Sequence, residues 1–179
     1  MFFIPGFLIA LLTFPGVIVH EIAHRVFCDL AKVPVYKAVY FRLGDPSGYV
    51  VHGPVPDLKS AFLIAVGPFF INSFVCALIG FSVLVPVLIL KDYALAGTPL
   101  SLFQLWLGIS IGMHAFPSKQ DLDNFHAQIK AGKGITPLRV FSASMRIAFS
   151  LARLASIFWF DAIYAVGISM IVPTILCGI

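Results

Sequence analysis

Apolar residues run through most of this chain, and the places where the runs break divide it into elements. Residues 1–30 are mostly apolar, carry three ionisable groups at ligand spacing in "VIVHEIAHRV" at 17–26, and are punctuated by Pro5 and Pro15. Proline suits the first turn of a helix, so a helix is predicted to start at Pro15 and carry His20, Glu21 and His24. Residues 33–53, "VPVYKAVYFRLGDPSGYVVHG", are rich in Val and Tyr around a "GDPSG" turn, which predicts a β-hairpin or two short strands. Open strand edges do not face lipid, so this unit is expected at the surface or inside a protein cavity. From Leu58 to residue 90 the chain is again almost continuously apolar. "VGPFFIN" interrupts that run and predicts a break at Gly67-Pro68, with a short helix leading into a full one. Residues 99–116 predict a third apolar helix, and 118–132 a polar helix started by Ser118. Residues 137–175 form a last helical region that can divide in two. Its first half carries Arg139, Arg146 and Arg153 at a spacing of seven, one stripe read as an amphipathic face at headgroup level.

Composition turns these apolar helices into a membrane reading. The chain is 60% hydrophobic and 11% charged, against about half and a quarter in soluble domains. The expected fold is therefore mainly α and polytopic, a single membrane-embedded domain over 1–179. It has about four spans: 1–30, 58–90, 99–116 and the end of 137–175. The first apolar run has no basic segment before it and is read as a retained span rather than a signal peptide. Cys28, Cys76 and Cys177 show no paired spacing and are expected to be thiols. With four spans, Arg25, Lys32, Lys37, Arg42 and Lys59 share a side with Lys119, Lys130, Lys133, Arg139, Arg146 and Arg153, leaving Lys91 opposite. The excess of basic residues places the first group in the cytoplasm of a multi-pass cell-membrane protein, with both termini outside. The net charge of +4 is thus accounted for by topology, and nucleic acid is not an expected partner.

Against that background three ionisable groups stand out. His20 and His24 are four residues apart and share a helix face, so their imidazoles can hold one Zn²⁺. Glu21, the only Glu in the chain, is placed to take a proton from a water held there. An ionisable residue inside the membrane costs about 2.5–3.5 kcal/mol on insertion scales, and three at ligand spacing call for a shared explanation. A third ligand has to come from elsewhere. Asp121 and Asp123, in "HAFPSKQDLDNF", lie at the same depth as the histidines. Asp121 falls at the N3 position behind the Ser118 cap, whereas Asp123 points about 200° away from it on a helix. Capping geometry favours Asp121.

Three stretches resemble the site-2 protease family of intramembrane zinc metalloproteases. "HEIAH" matches the family's zinc motif. "VGPFFIN" is similar to its Gly-Pro-x-x-x-Asn segment. "HAFPSKQDLDN" stands where the family has Asn-x-x-Pro followed by Leu-Asp-Gly. The likeness spans roughly 10–125, and the chain looks like a minimal, divergent member. It implies His20 and His24 as metal ligands with an aspartate of the third stretch, Glu21 as catalytic base, and Asn72 and His114 as contacts to substrate or transition state; the family's Pro-to-Asp spacing lands on Leu122, between Asp121 and Asp123. Departures are plain: His114 replaces the family's Asn, no Gly follows the aspartate, and "LDN" aligns Asp123, not Asp121, with the family's aspartate. The activity implied is zinc-dependent hydrolysis of peptide bonds in membrane-spanning or membrane-adjacent substrates near the cytoplasmic face. A non-catalytic zinc-binding membrane scaffold is the alternative, and a small transporter a more distant one.

Overall fold

The computed structural model describes residues 6–88, 90–131 and 136–177, the side chains of 172, 176 and 177 excepted. Pro5, Lys133 and the Cys177 side chain therefore lie outside the described residues. Among these residues eight α-helices and two strands follow in the order α1 Gly6–Leu12, α2 Phe14–Leu30, β1 Val35–Val39, β2 Tyr49–His52, α3 Leu58–Leu88, α4 Tyr93–Ala96, α5 Pro99–Met113, α6 Lys119–Ala131, α7 Pro137–Ala155 and α8 Phe160–Cys177. The fold is mainly helical with one small antiparallel sheet, as the hydrophobic pattern predicts.

Among the described residues two helical segments, 58–88 and 137–158, are long and apolar enough to cross a membrane. A third candidate is α1 with α2, a pair bent by 89°. The bend falls at Thr13, and Pro15 sits in the first turn of α2. Helices α5 and residues 160–171 of α8 are apolar but shorter than a full span. Helix α3 is central, packing on α2, α5 and α8.

No break occurs at Gly67-Pro68: α3 continues from Leu58 to Leu88 with Pro68 inside it. Proline lacks the N–H that would bond the carbonyl four residues back, here Ile64. The helix survives because that carbonyl finds another donor, His24 of α2. Gly67 allows the helices to meet there, since a Cβ on it would collide with the Phe27 ring of α2.

The hairpin pairs Lys37 with Val51 and Val39 with Tyr49, with a shift in register between Val35 and Lys37. Among the described residues the sheet is two strands wide, so the far edge of β2 is unpaired. Helix α6 docks on α3 through Leu122, Phe125 and Ile129, which meet Ala61, Ala65 and Val66. Its start is a reciprocal cap: the Asp121 N–H donates to Ser118 Oγ at 3.2 Å, and the Ser118 N–H donates to Asp121 Oδ2 at 2.8 Å.

Two arginines of the α7 stripe, Arg139 and Arg146, lie beside α6, while Arg153 is exposed at the edge of a cavity. The Arg139 guanidinium donates to the Ile129 carbonyl at the end of α6. Desolvation, then the charges of Arg146 and Lys130, hold the His126 imidazole below its ordinary value. What α7 turns outward is apolar: Phe141, Ile147, Leu151 and Leu154 are exposed. Spacing identifies a stripe, but only a neighbour decides where it faces.

Phe125 is the largest side chain locking α6 to α3, and it is 1% exposed. Phe125→Ala is expected to cost about 3–5 kcal/mol, read as a lowered midpoint of thermal unfolding in detergent.

Candidate metal centre

The two histidines of α2 turn their rings toward each other where α2 meets α3 and the end of α5. Each ring is aimed by a backbone carbonyl. His20 Nδ1 donates to the His114 carbonyl at 2.6 Å, and His24 Nδ1 donates to the Ile64 carbonyl at 2.9 Å. A carbonyl has no proton to give, so each Nδ1 carries a ring proton, and a neutral ring in this pose turns a lone pair out at Nε2. Those two Nε2 atoms face each other at 3.1 Å. Asp121 Oδ2 completes the group, 3.3 Å from His24 Nε2 and 3.8 Å from His20 Nε2.

Three lone-pair donors converging this closely repel one another unless a cation lies between them. The spacing suits a metal. Four-coordinate bonds of about 2.0–2.1 Å give a tetrahedron with edges of about 3.3 Å, and the three observed edges bracket that value. Imidazole, imidazole and carboxylate, each imidazole oriented by a carbonyl on its other nitrogen, is a donor set suited to Zn²⁺ and leaves one position open. His20, His24 and Asp121 also form the one such cluster of potential metal-ligating groups among the described residues.

Asp121 is both cap and candidate ligand. The oxygen that faces the histidines also accepts the Ser118 N–H. The competing aspartate, Asp123, is exposed and outside the cluster.

Glu21 is buried at 8% exposure, one residue along α2 from His20. The hairpin turn covers it: a Cβ on Gly48 would come within 2.7 Å of Glu21 Cγ and 3.1 Å of Oε1. Two cavities meet at Glu21. The larger, of about 580 Å³, extends between β2 and α6 and reaches His24 and Asp121. The smaller, of about 320 Å³, reaches His20, His114 and Asp161. Gly48 and Glu21 line both, so the turn and the acid together form the partition.

Asn72 and His114 serve the site chiefly through one backbone carbonyl. Asn72 is fully buried, and its amide nitrogen lies 3.0 Å from the carbonyls of Ile111 and His114 and 3.3 Å from that of Gly16. It therefore ties α2, α3 and α5 together around the carbonyl that aims His20. The His114 ring turns away: Thr13 Oγ1 gives its proton to the Ile9 carbonyl and accepts from His114 Nε2 at 2.8 Å. His52, at the end of β2, lines the larger cavity, and its Nδ1 donates to the Gly53 carbonyl at 2.8 Å.

Sequence reasoning passed over Gly48 and Pro68. The signal for Gly48 was its place at the end of the "GDPSG" turn. The signal for Pro68 was its position four residues after Ile64, legible only once a donor is known to stand beside that carbonyl.

Zn²⁺ titration of the purified protein is expected to separate the two aspartates. Asp121→Ala loses tight binding, and Asp123→Ala binds as wild type does. Pro68→Ala supplies an N–H that competes with His24 for the Ile64 carbonyl, and it is expected to weaken binding about tenfold or more. Comparison with protein-family models, with curated proteins and with solved structures finds no match to this chain.

Proposed function

We propose that this chain is a membrane-embedded zinc endopeptidase of the site-2 protease type, cleaving peptide bonds of membrane-spanning or membrane-adjacent substrates. The observation that carries the reading is the convergence of His20 Nε2, His24 Nε2 and Asp121 Oδ2, with the buried Glu21 beside them on two cavities. A non-catalytic metal scaffold has no need of that acid.

Zinc in this donor set would act as a Lewis acid toward a carbonyl and bring the pKa of a water near 7. The chain's own residues supply the rest. Glu21 accepts a proton from the attacking water and passes it to the leaving amine. Its carboxylate is restricted by Gly48 on one side and by its own helix on the other, so it is positioned before substrate arrives. His20 and His24 hold their rings fixed through the carbonyls of His114 and Ile64 and spend no reorganisation during the reaction.

A helical substrate hides its carbonyls in internal hydrogen bonds, so the segment to be cut has to be extended. The unpaired edge of β2 offers backbone groups to such a segment. All of Tyr49, Val50, Val51, His52 and Gly53 line the larger cavity. A strand's face would present only alternate residues. Consecutive residues mark an edge, and the edge leads to the metal site.

In the membrane, the proposal has four crossings, formed by α1–α2, α3, α5 and the α7–α8 region. The positive-inside rule then puts the hairpin, α6 and the metal site at the cytoplasmic face.

Glu21→Gln is expected to lower kcat by about 10²–10⁴-fold on a panel of membrane peptides while zinc content is unchanged. Stripping the metal with a chelator is expected to abolish cleavage by the wild type, and added Zn²⁺ to restore it. Full activity in the Glu21→Gln protein would refute the assignment.

A further inference from the structure

The cavity that reaches the metal site has a second long wall, opposite β2. Gln120, Asn124 and Gln128 recur at every fourth residue of α6, and all three line that cavity. Residues four apart share a helix face, so the three carboxamides form a single row. The other side of α6 is pinned on α3 by Phe125 and its neighbours, which fixes the row relative to the rest of the site. Among the described residues none of the three carboxamides makes a hydrogen bond, so their donors and acceptors are available to a ligand.

The spacing of the row matches an extended chain. Four residues of helix rise about 6 Å. In an extended strand the groups on one edge repeat every two residues, about 6.6–6.8 Å. Over three amides the two repeats stay nearly in step. A carboxamide carries both an acceptor oxygen and a donor NH₂, so it can meet either an N–H or a C=O of the passing backbone.

We propose that α6 is a second docking edge for the polypeptide substrate, which lies extended between β2 and the amide row with backbone hydrogen bonds on both sides. This rests on the endopeptidase reading of the metal centre. Recognition is then through the peptide backbone and tolerates many side chains. It discriminates by conformation: a segment that stays helical can offer neither edge. It also places the bound chain at Asp121, because the row begins one residue before that ligand on the same helix.

The test uses zinc-loaded Glu21→Gln protein in detergent and a short fluorescein-labelled peptide of Ala, Thr and Val, with binding read by fluorescence anisotropy. Successive amides of an extended chain point to opposite edges, so two N-methylated versions are made, one blocking each edge. Each is expected to bind about tenfold more weakly than the parent. In a protein also carrying Gln120→Ala, Asn124→Ala and Gln128→Ala, the parent binds about tenfold more weakly and only one methylated version weakens binding further. Zinc content, measured on the same samples, is unchanged. If only one methylation pattern matters in the Glu21→Gln protein, or if the triple substitution leaves binding intact, the second edge is refuted and the hydrolytic reading stands. Failure of the parent peptide to bind also refutes the clamp, whereas the hydrolytic reading depends on cleavage by the wild type.

Discussion

The structure depends on two imidazoles that have lost their freedom. His20 and His24 are each tied at Nδ1 to a carbonyl of another helix, and the tie forces two lone pairs together at 3.1 Å. Neither carbonyl would be free in an unbroken helix. Ile64 offers its oxygen because Pro68 has no N–H to occupy it. His114 offers its oxygen because α5 stops at Met113, and the last carbonyls of a helix have no partner within it. In apolar surroundings an unpaired carbonyl is costly, and so is an unpaired imidazole N–H. Each defect satisfies the other, and the two Nε2 atoms left facing each other belong to the candidate metal site. Gly67, which lets α2 reach α3, and Asn72, which gathers carbonyls of α2 and α5, make the same meeting possible from either side.

Much of this was legible in the sequence, but unevenly. Spacing alone places His20 and His24 on one face of a helix, and the Ser118 cap correctly puts the Asp121 carboxylate back over the start of α6. That geometry separates Asp121, which lies beside the histidines, from Asp123, the residue that "LDN" aligns, which is on the exposed side of the helix. Side chains whose roles depend on a partner helix were harder to read. His114 was singled out for its ring, yet its carbonyl is what touches the site. Gly67-Pro68 looked like a break because local rules penalise proline in a helix. Tertiary context supplied the missing hydrogen-bond partner, and the helix ran on. The arginines of α7 were legible as a stripe, but the carbonyl end of α6 that attracts Arg139 lies outside any local pattern.

The hairpin shows how a small β unit can sit beside apolar helices and cover a buried acid. Its turn packs Gly48 on Glu21, and its second strand lends an edge to the larger cavity. The acid is thus sheltered by protein while both cavities keep it in reach of water. Only a residue without a side chain fits there, because a Cβ would strike the Glu21 stem. The turn's composition and the burial of the acid are two expressions of one packing constraint.

Helix α6 carries the burden of precision. Its first turn presents Asp121 to the histidines, its inner face is bolted to α3 by Leu122, Phe125 and Ile129, and its remaining face borders the cavity. A carboxylate at the first turn of a helix is favoured by the helix dipole and by the Ser118 N–H, so it stays ionised and oriented despite its burial. The same cap fixes Oδ2 as the oxygen that faces the imidazoles. The cavity wall and the candidate third ligand belong to the same helix, which Phe125 seats on α3. Ligand geometry and cavity shape are therefore not independent features of this fold. They are set together by how firmly one amphipathic helix is seated on α3.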